Sequence, residues 1–334
     1  MVRLPRVSIL NGSSILVTGG TGSFGKAFLQ QILENHDPAR IVIFSRDELK
    51  QYEMRQVWGD DERVRFFLGD IRDRDRLKMA LHGVDYVVHA AALKQVDTAE
   101  YNPMEYVKTN ILGSENVIQA SLEAGVKKVV ALSTDKASSP VNLYGATKLT
   151  ADKLFISSNH YAVAGGTRFA VVRYGNVMGS RGSVIPFFRR LAEQGQPLPI
   201  TDLRMTRFWI TLPQAVDFVI SSFDDMNGGE LYVPRIPSMH VTDLARAVAP
   251  DAELIEVGIR PGEKLHEEMI STEDSRRTLR RDDRYVVLPT FAIWGGFTEP
   301  AGDPVEDGFS YTSDTNDRWL DASQLKAMLD DLGL

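Results

Sequence analysis

Cysteine is absent from this chain. That excludes disulfides, thiolate catalysis and cysteine-ligated metal sites, and it fits a reducing compartment. No apolar run reaches the length of a membrane span, so no membrane partner is expected. The opening stretch, Met1-Val-Arg-Leu-Pro-Arg-Val-Ser-Ile-Leu10, holds too short an apolar segment for a secretory signal, and a cytoplasmic location is expected. An excess of positive charge is missing too. The 38 Lys and Arg face 45 Asp and Glu, a net charge of −7, which gives no basis for broad nucleic-acid binding. Internal repeats and long low-complexity segments are lacking, and no metal site is indicated. What remains is 334 residues, 43% hydrophobic and 25% charged, with room for a full core and two or so domains.

The chain is organised around Ala131-Leu-Ser-Thr-Asp-Lys-Ala137 and, close behind it, Tyr144-Gly-Ala-Thr-Lys148. The β-branched run Val126–Leu132 predicts a buried strand that delivers Thr134, Asp135 and Lys136 at its carboxyl end, where open parallel sheets bind ligands. Tyr144 and Lys148 are four apart and share a helix face, an arrangement in which the lysine lowers the phenol's pKa and makes it a usable base. Adjacent residues on a strand point to opposite faces, so Asp135 and Lys136 can enter one site only if the strand ends there; otherwise they form a surface ion pair.

Upstream, the strand Ser14–Thr18 runs into Gly19-Gly-Thr-Gly-Ser-Phe-Gly25 and a helical pattern. Gly19 suits the tight turn, Gly22 a close approach to a pyrophosphate, and Gly25 helix-on-strand packing, with Thr21, Ser23 and Phe24 in the same cofactor loop. The next strand, Arg40–Phe44, ends at Ser45-Arg46, and Lys50 follows one helical turn later. A hydroxyl and two cations suit a 2′-phosphate, which favours NADP; the alternative is that Asp47 or Glu48 holds an NAD ribose. Asp70 and Ile71 follow a third strand as adenine-side contacts, and the small Ala90, Ala91 and Ala92 follow a fourth, with Lys94 pointing into the same crevice as a substrate or cofactor contact or else a surface cation. Helical patterns over 48–56, 74–81 and 99–124 separate the strands, which predicts an α/β Rossmann-type doubly wound parallel sheet.

With these motifs in place, the chain resembles the extended short-chain dehydrogenase/reductase family over nearly its whole length. Within it, the chain resembles the inverting UDP-N-acetylglucosamine 4,6-dehydratases, which open a route to pseudaminic acid for flagellin glycosylation. The specific element is Thr134-Asp135-Lys136. Retaining relatives carry Glu after the Asp, 4-epimerases lack the pair, and membrane-anchored relatives carry Met in place of Tyr144. The resemblance implies a tightly bound, recycled NADP and a UDP-N-acetylglucosamine substrate. It also implies that Tyr144, its pKa lowered by Lys148, takes the proton of the carbon-four hydroxyl while Thr134 hydrogen-bonds that oxygen. Lys136, as a neutral amine, takes the carbon-five proton, and protonated Asp135 gives a proton to the departing hydroxyl.

On the substrate side, Val171–Tyr174 reads as a sixth strand ending at Asn176, a candidate contact to a sugar diphosphate or else a loop-former. Ser183 and Val184 lie where the chain leaves the sheet for a small discontinuous lid. The resemblance places Thr201 and Met205 near the uridine and Glu263 on its ribose. Arg207 and Arg260 are candidates for the diphosphate. The expected domains are 1–180 with about 205–235 for the dinucleotide, about 181–204 and 236–290 for the substrate, and 291–334 as a tail. That tail is expected to be irregular over 304–315 and to end in a helix with Leu325, Met328, Leu329 and Leu332 on one face. The run Arg276–Arg284 is expected as a solvated loop or subunit contact, and a homo-oligomer, a hexamer, is implied by resemblance. Two other readings stay open: a UDP-hexose 4-epimerase needing only Thr134, Tyr144 and Lys148, and a non-catalytic nucleotide-sugar sensor.

Overall fold

The computed structural model describes residues 9–163, 165–179, 184–292, 294 and 297–333. Six parallel strands come first: β1 (Ser14–Thr18), β2 (Arg40–Ser45), β3 (Val64–Leu68), β4 (Tyr86–His89), β5 (Lys128–Thr134) and β6 (Arg168–Tyr174). They lie in the order β3-β2-β1-β4-β5-β6. All five residues of β1 and all four of β4 are buried, as continuous apolar runs must be when helices cover both faces. Helix Ser23–Asn35 packs on Leu212–Asp225, while Arg74–Ala80, Gly113–Ala124 and Leu143–Ser157 form a second packed group. The chain leaves β1 toward β2 on one side and returns to β4 on the other. That reversal opens a crevice above the carboxyl ends of the strands, which is where Thr18, Ser45, His89 and Thr134 sit.

The chain returns to the sheet at Leu231–Pro234, as the sequence predicts, and beyond that strand the sheet is larger than expected. Leu231–Pro234 extends it in parallel beyond β6, followed by three antiparallel strands, Arg284–Val287, Thr278–Arg280 and Asp303–Pro304. Residues assigned to the substrate domain and the tail thus belong to the main sheet. The basic run 276–284 is a hairpin rather than a solvated loop, because its guanidinium groups find acids: Arg277 meets Asp274 at 2.9 Å, Arg281 meets Asp225 at 2.6 Å and Arg284 meets Asp283 at 2.7 Å. Thr278, Leu279 and Arg284 are left buried. The stretch expected to be irregular supplies a further strand, Tyr311–Thr312, paired with Glu268–Ile270. Its Gly, Ser, Asp and Pro content hides one anchor, Tyr311, whose hydroxyl donates to the Ile236 carbonyl and accepts from its N–H.

The helix predicted over 99–124 is broken into Val96–Tyr101, Pro103–Tyr106, a wide π-helical turn at Val107–Leu112 and Gly113–Ala124. Pro103 starts a new segment because it lacks the N–H that would continue the first. A second, smaller unit is built from Asn176–Val177, Thr206–Ile210 and Ser238–His240, with Leu198–Ile200 paired to Leu254–Glu256. Helices Val184–Glu193, Val241–Val248 and Ala322–Asp331 complete it. Strand Thr206–Ile210 joins the two units: Phe208 and Ile210 enter the main core, and Trp209 enters the small one with Leu244, Leu325 and Leu329.

Candidate active site

β5 stops at Thr134, and the chain turns at once into a single 3-10 turn, Asp135–Ala137, capped by Thr134. Ending the strand there removes the alternation that would send Asp135 and Lys136 to opposite faces. Thr134 Oγ1 donates to Asp135 Oδ1 at 2.9 Å, and Lys136 Nζ donates to the same oxygen at 3.1 Å. Lys136 Nζ also donates, at 3.0 Å, to Oε1 of Glu267, a residue that none of the sequence motifs includes. Both carboxylates are almost fully buried, at 1% and 2% exposure. Each keeps one oxygen, Asp135 Oδ2 and Glu267 Oε2, with no hydrogen-bond partner among the described residues.

The electrostatics divide the two acids. Burial and the neighbouring Glu267 charge raise the Asp135 pKa against the pull of Lys136. Burial also works against the Glu267 charge, but Lys136 and Arg207, whose Nε lies 3.7 Å away, outweigh it and hold Glu267 low. Burial disfavours the Lys136 ammonium, yet the two carboxylates more than offset this and raise its pKa. The neutral amine expected from sequence is therefore an ammonium here, because that expectation lacked the second acid.

Glu267 lies in a short strap, residues 262–268, that fixes the whole turn. Glu268 Oε1 accepts from Ser138 Oγ and Ser139 Oγ at 2.6 Å each. Lys264 Nζ donates to the Ser138 carbonyl at 2.6 Å, and Asn142 Nδ2 donates to the Gly262 carbonyl at 2.8 Å. Among the described residues Ser139 is the one non-glycine with left-handed backbone (φ 41°), a strain that these bonds hold in place.

Tyr144 and Lys148 lie in the first two turns of helix Leu143–Ser157, capped by Asn142, and both are buried. Lys148 Nζ donates to the Leu132 carbonyl at 2.7 Å, and burial lowers its pKa despite Asp152. Burial pushes the Tyr144 phenol up to about 12, although the Lys136 cation and the Thr134 hydroxyl pull the other way. The sequence predicts the opposite direction. Spacing alone does not reveal that the Lys148 ammonium is engaged by a carbonyl and that the ring is closed off from water.

The glycine loop has the shape of a phosphate cradle. Gly19 has φ +65, and a Cβ there would meet the Ala91 backbone at 2.8 Å, so the β1 and β4 turns lie against each other. A Cβ on Gly25 would collide with the Gly20 backbone. Helix Ser23–Asn35 starts at Gly22 with no side-chain cap and no acid in its first turn, leaving its N–H groups for an anion. Thr21 and Ser45 hydroxyls are 2.8 Å apart, and Asp47 is engaged as the next helix's cap and by Lys50 Nζ at 2.5 Å. Arg46 is half-exposed, 3.7 Å from Asp70, which itself accepts from Arg72. These residues fit a nicotinamide dinucleotide. Three candidates fit less directly: the Ile71 side chain is buried in the core, leaving only its backbone for the adenine, and Ala92 and Lys94 are exposed beyond the β4 turn.

Sequence reasoning also missed a buried polar chain linking the cofactor loop to the tyrosine helix. Thr18 Oγ1 bonds His89 Nδ1 at 2.8 Å, His89 Nε2 bonds Ser114 Oγ at 3.2 Å, and Ser114 Oγ donates to the Asn110 carbonyl at 2.6 Å. The Asn110 amide then donates to Thr147 Oγ1 at 3.0 Å and to the Leu93 carbonyl at 3.0 Å. Because the Ser114 hydrogen is committed to Asn110, His89 donates through Nε2 and accepts from Thr18 at Nδ1. Burial, assisted by the Lys148 cation, lowers the His89 pKa to about 3. The wide turn at Val107–Leu112 carries Asn110, and only a break in a long helical pattern hints at it.

Asn176, Val184, Thr201, Met205, Arg207, Arg260 and Glu263 line one cavity of about 570 Å³, walled by Phe187, Trp209 and Met239. Arg260 is half-exposed and 4.0 Å from Glu263, whose Oε2 is buried without a partner among the described residues. Arg207 differs from its expected role: its Nη atoms donate to the carbonyls of Thr206 (2.7 Å), Leu265 (3.1 Å) and Lys264 (3.1 Å), so its fork holds the strap rather than standing open for phosphate. Ser183 lies outside the described residues.

Comparison with known proteins places this geometry. The family described as polysaccharide biosynthesis protein matches residues 15–289. The chain is 53% identical over 325 residues to the inverting UDP-N-acetylglucosamine 4,6-dehydratase of Campylobacter jejuni subsp. jejuni serotype O:23/36, covering 95% of this chain and 97% of that one. Among solved structures, Pen from Bacillus thuringiensis superposes with a TM-score of 0.87 at 35% identity, covering 96% of this chain and 99% of that one. The dTDP-glucose 4,6-dehydratase DesIV of Streptomyces venezuelae, solved with NAD bound, superposes at 0.67 and 25% identity over 75% of this chain and 86% of that one.

Proposed function

The chain belongs to the polysaccharide biosynthesis protein family of extended short-chain dehydrogenases and reductases, and from that premise we propose that it is an inverting UDP-N-acetylglucosamine 4,6-dehydratase using NADP. The observation that carries the reading is the turn at Asp135–Ala137, which sets an acid and an amine beside Thr134 and Tyr144. A 4-epimerase needs only the last two groups and Lys148.

When bound, the nicotinamide supplies reversible oxidation at carbon four of the sugar and the matching reduction at carbon six. Tyr144 takes the proton of the carbon-four hydroxyl, with Thr134 bonded to the same oxygen. Bringing a phenol at about 12 into working range is the task of nearby cations, Lys136 already among them. A ketone at carbon four makes the carbon-five proton acidic, and Lys136 removes it once its ammonium has given up a proton. Asp135 gives the proton on its unpartnered Oδ2 to the hydroxyl leaving carbon six. Reprotonation of carbon five from the opposite face gives UDP-2-acetamido-2,6-dideoxy-β-L-arabino-hex-4-ulose.

NADP is favoured over NAD because Asp47, the first acid after β2, caps the next helix, whereas Arg46 and Lys50 are half-exposed cations whose surface ion pairs a 2′-phosphate can replace. Arg260 is the diphosphate contact, and Glu263 holds the uridine ribose. Supply of a surface sugar such as pseudaminic acid, a cytoplasmic location and a hexameric assembly belong to the same reading. No helix among the described residues is long and apolar enough to cross a membrane.

The test is incubation of the purified protein with UDP-N-acetylglucosamine in heavy water, followed by NMR. A 4-keto-6-deoxy product of L-arabino configuration, deuterated at carbon five, is expected. A 4-epimer with no deuterium there means an epimerase, and ligand binding without turnover means a sensor.

A further inference from the structure

Glu267 reaches the catalytic turn from 131 residues away and does not line the substrate cavity, yet it shares the Lys136 ammonium with Asp135. We propose that Glu267 is a positioning residue for the elimination: as the ionised partner of Lys136 it receives the proton that this amine must shed, and by carrying the buried negative charge it leaves Asp135 protonated as the acid. The chemistry rests on the dehydratase reading; the charge assignment does not.

Two carboxylates sharing one buried ammonium raise each other's pKa, so the one with fewer cations beside it keeps its proton. The surroundings decide which. Glu267 has a second cation, Arg207 Nε at 3.7 Å, while Asp135 has only Lys136 and the neutral Thr134 hydroxyl. The negative charge therefore settles on Glu267, in line with the opposite directions in which the two acids are shifted. Asp135 Oδ1 already accepts two hydrogen bonds, which leaves the proton on Oδ2, the oxygen with no partner among the described residues.

The protons balance. An N–H bond of Lys136 breaks as an O–H bond forms at Glu267 Oε1, a transfer that is uphill in the open site and that bound substrate must favour by excluding water from the ion pair, giving a neutral amine and a neutral acid. The amine then takes the carbon-five proton, and that C–H pair forms the carbon-five to carbon-six double bond. The carbon–oxygen bond at carbon six breaks, and its pair leaves as hydroxide, which combines with the Asp135 proton as water. The site ends with ammonium, protonated Glu267 and ionised Asp135, the same total number of protons as at the start. One transfer from Glu267 to Asp135 resets it.

Difference infrared spectra, wild type against Asp135→Asn near neutral pH, test the assignment without turnover. One protonated-carboxyl carbonyl band is expected. Compared in the same way, the Glu267→Gln protein should lack that band, because Asp135 then takes over the charge opposite Lys136. A band that persists in Glu267→Gln, or that the wild type lacks, overturns the proposal. In turnover, Glu267→Gln should lower kcat for deuterium entry at carbon five by about tenfold or more with KM unchanged, and move the alkaline limb of the pH profile down by about one unit. An unmoved limb also overturns it. Glu267→Asp, which keeps the charge but shortens the reach, should retain the infrared band while losing kcat, and it covers the case in which Glu267→Gln does not fold. If the wild type takes up no deuterium, the dehydratase reading fails, and the infrared comparison still decides the role of Glu267.

Discussion

His89 is a buried histidine whose hydrogen-bond partners admit one tautomer, and that has a consequence for acid stability. Its pKa of about 3 lies far below the ordinary 6.5, so the folded protein holds it neutral. A group lowered in this way contributes its stability above pH 6.5 and loses it as pH falls toward 3, by up to about 1.4 kcal/mol per pH unit. Urea unfolding followed from pH 7 down to 4 should show that slope, and His89→Gln should lack it. Arg46 makes the second residue-scale case. Half-exposed and only 3.7 Å from Asp70, it is expected to exchange that partner for a 2′-phosphate, so Arg46→Ala should weaken NADP by about tenfold and leave NAD affinity unchanged. Equal losses for both cofactors would remove Arg46 from the discrimination. Thr134, Asp135, Lys136, Tyr144 and Lys148 were legible in sequence because a single strand end and the next helix carry them all. Glu267 and Asn110 were not, since each reaches the site from a distant segment and is no different in sequence from a surface acid or a loop amide. Missing Glu267 was enough to misjudge the charge on Lys136.

At the scale of elements, the turn at Asp135–Ala137 is wedged against the start of helix Leu143–Ser157. A Cβ on Gly145 would collide with the Lys136 carbonyl and lie 3.0 Å from Pro140 Cβ. Gly145 is buried in helical backbone, so it is there for closeness and not for an unusual dihedral angle. Gly145→Ala must push the turn and helix apart. The expected cost is about 1–3 kcal/mol in thermal or urea unfolding, with kcat falling up to about a hundredfold because the turn holds both the acid and the amine. A variant that keeps wild-type kcat would show that the turn tolerates the displacement. The six parallel strands and the glycine loop were legible because each is a local apolar run with a local breaker. The antiparallel extension and the strap were not. Thr278–Arg280 and Tyr311–Thr312 are short, polar in composition and stabilised by partners 5 to 44 residues away, a pairing that no periodicity encodes. The helical pattern expected over 99–124 ran straight through Pro103, and the wide turn after it is held by Asn110 bonding the Leu93 backbone, which is again a contact distant in sequence.

At the scale of the whole molecule, cofactor and substrate are served by two cores that meet along one strand. The glycine loop rests on the main core, whereas the wall of the substrate cavity, formed by Trp209, Met239 and Leu244, is packed from behind by Leu325 and Leu329 of helix Ala322–Asp331. The last helix of the chain thus acts on the substrate site without touching it. Leu325 is fully buried, so Leu325→Ala should cost about 2–5 kcal/mol, felt first in the small unit that contains it. Trp209 and Leu244 would then relax toward the space left behind, and the cavity would lose its shape against the uridine. The expected signature is a raised KM for the UDP-sugar, with nicotinamide affinity unchanged in calorimetry and kcat little altered at saturation. Leu16→Ala in β1, equally buried but in the main core, should act the other way and weaken the cofactor first. If both variants shift cofactor and sugar affinity together, strand Thr206–Ile210 couples the two cores too tightly for either site to loosen alone.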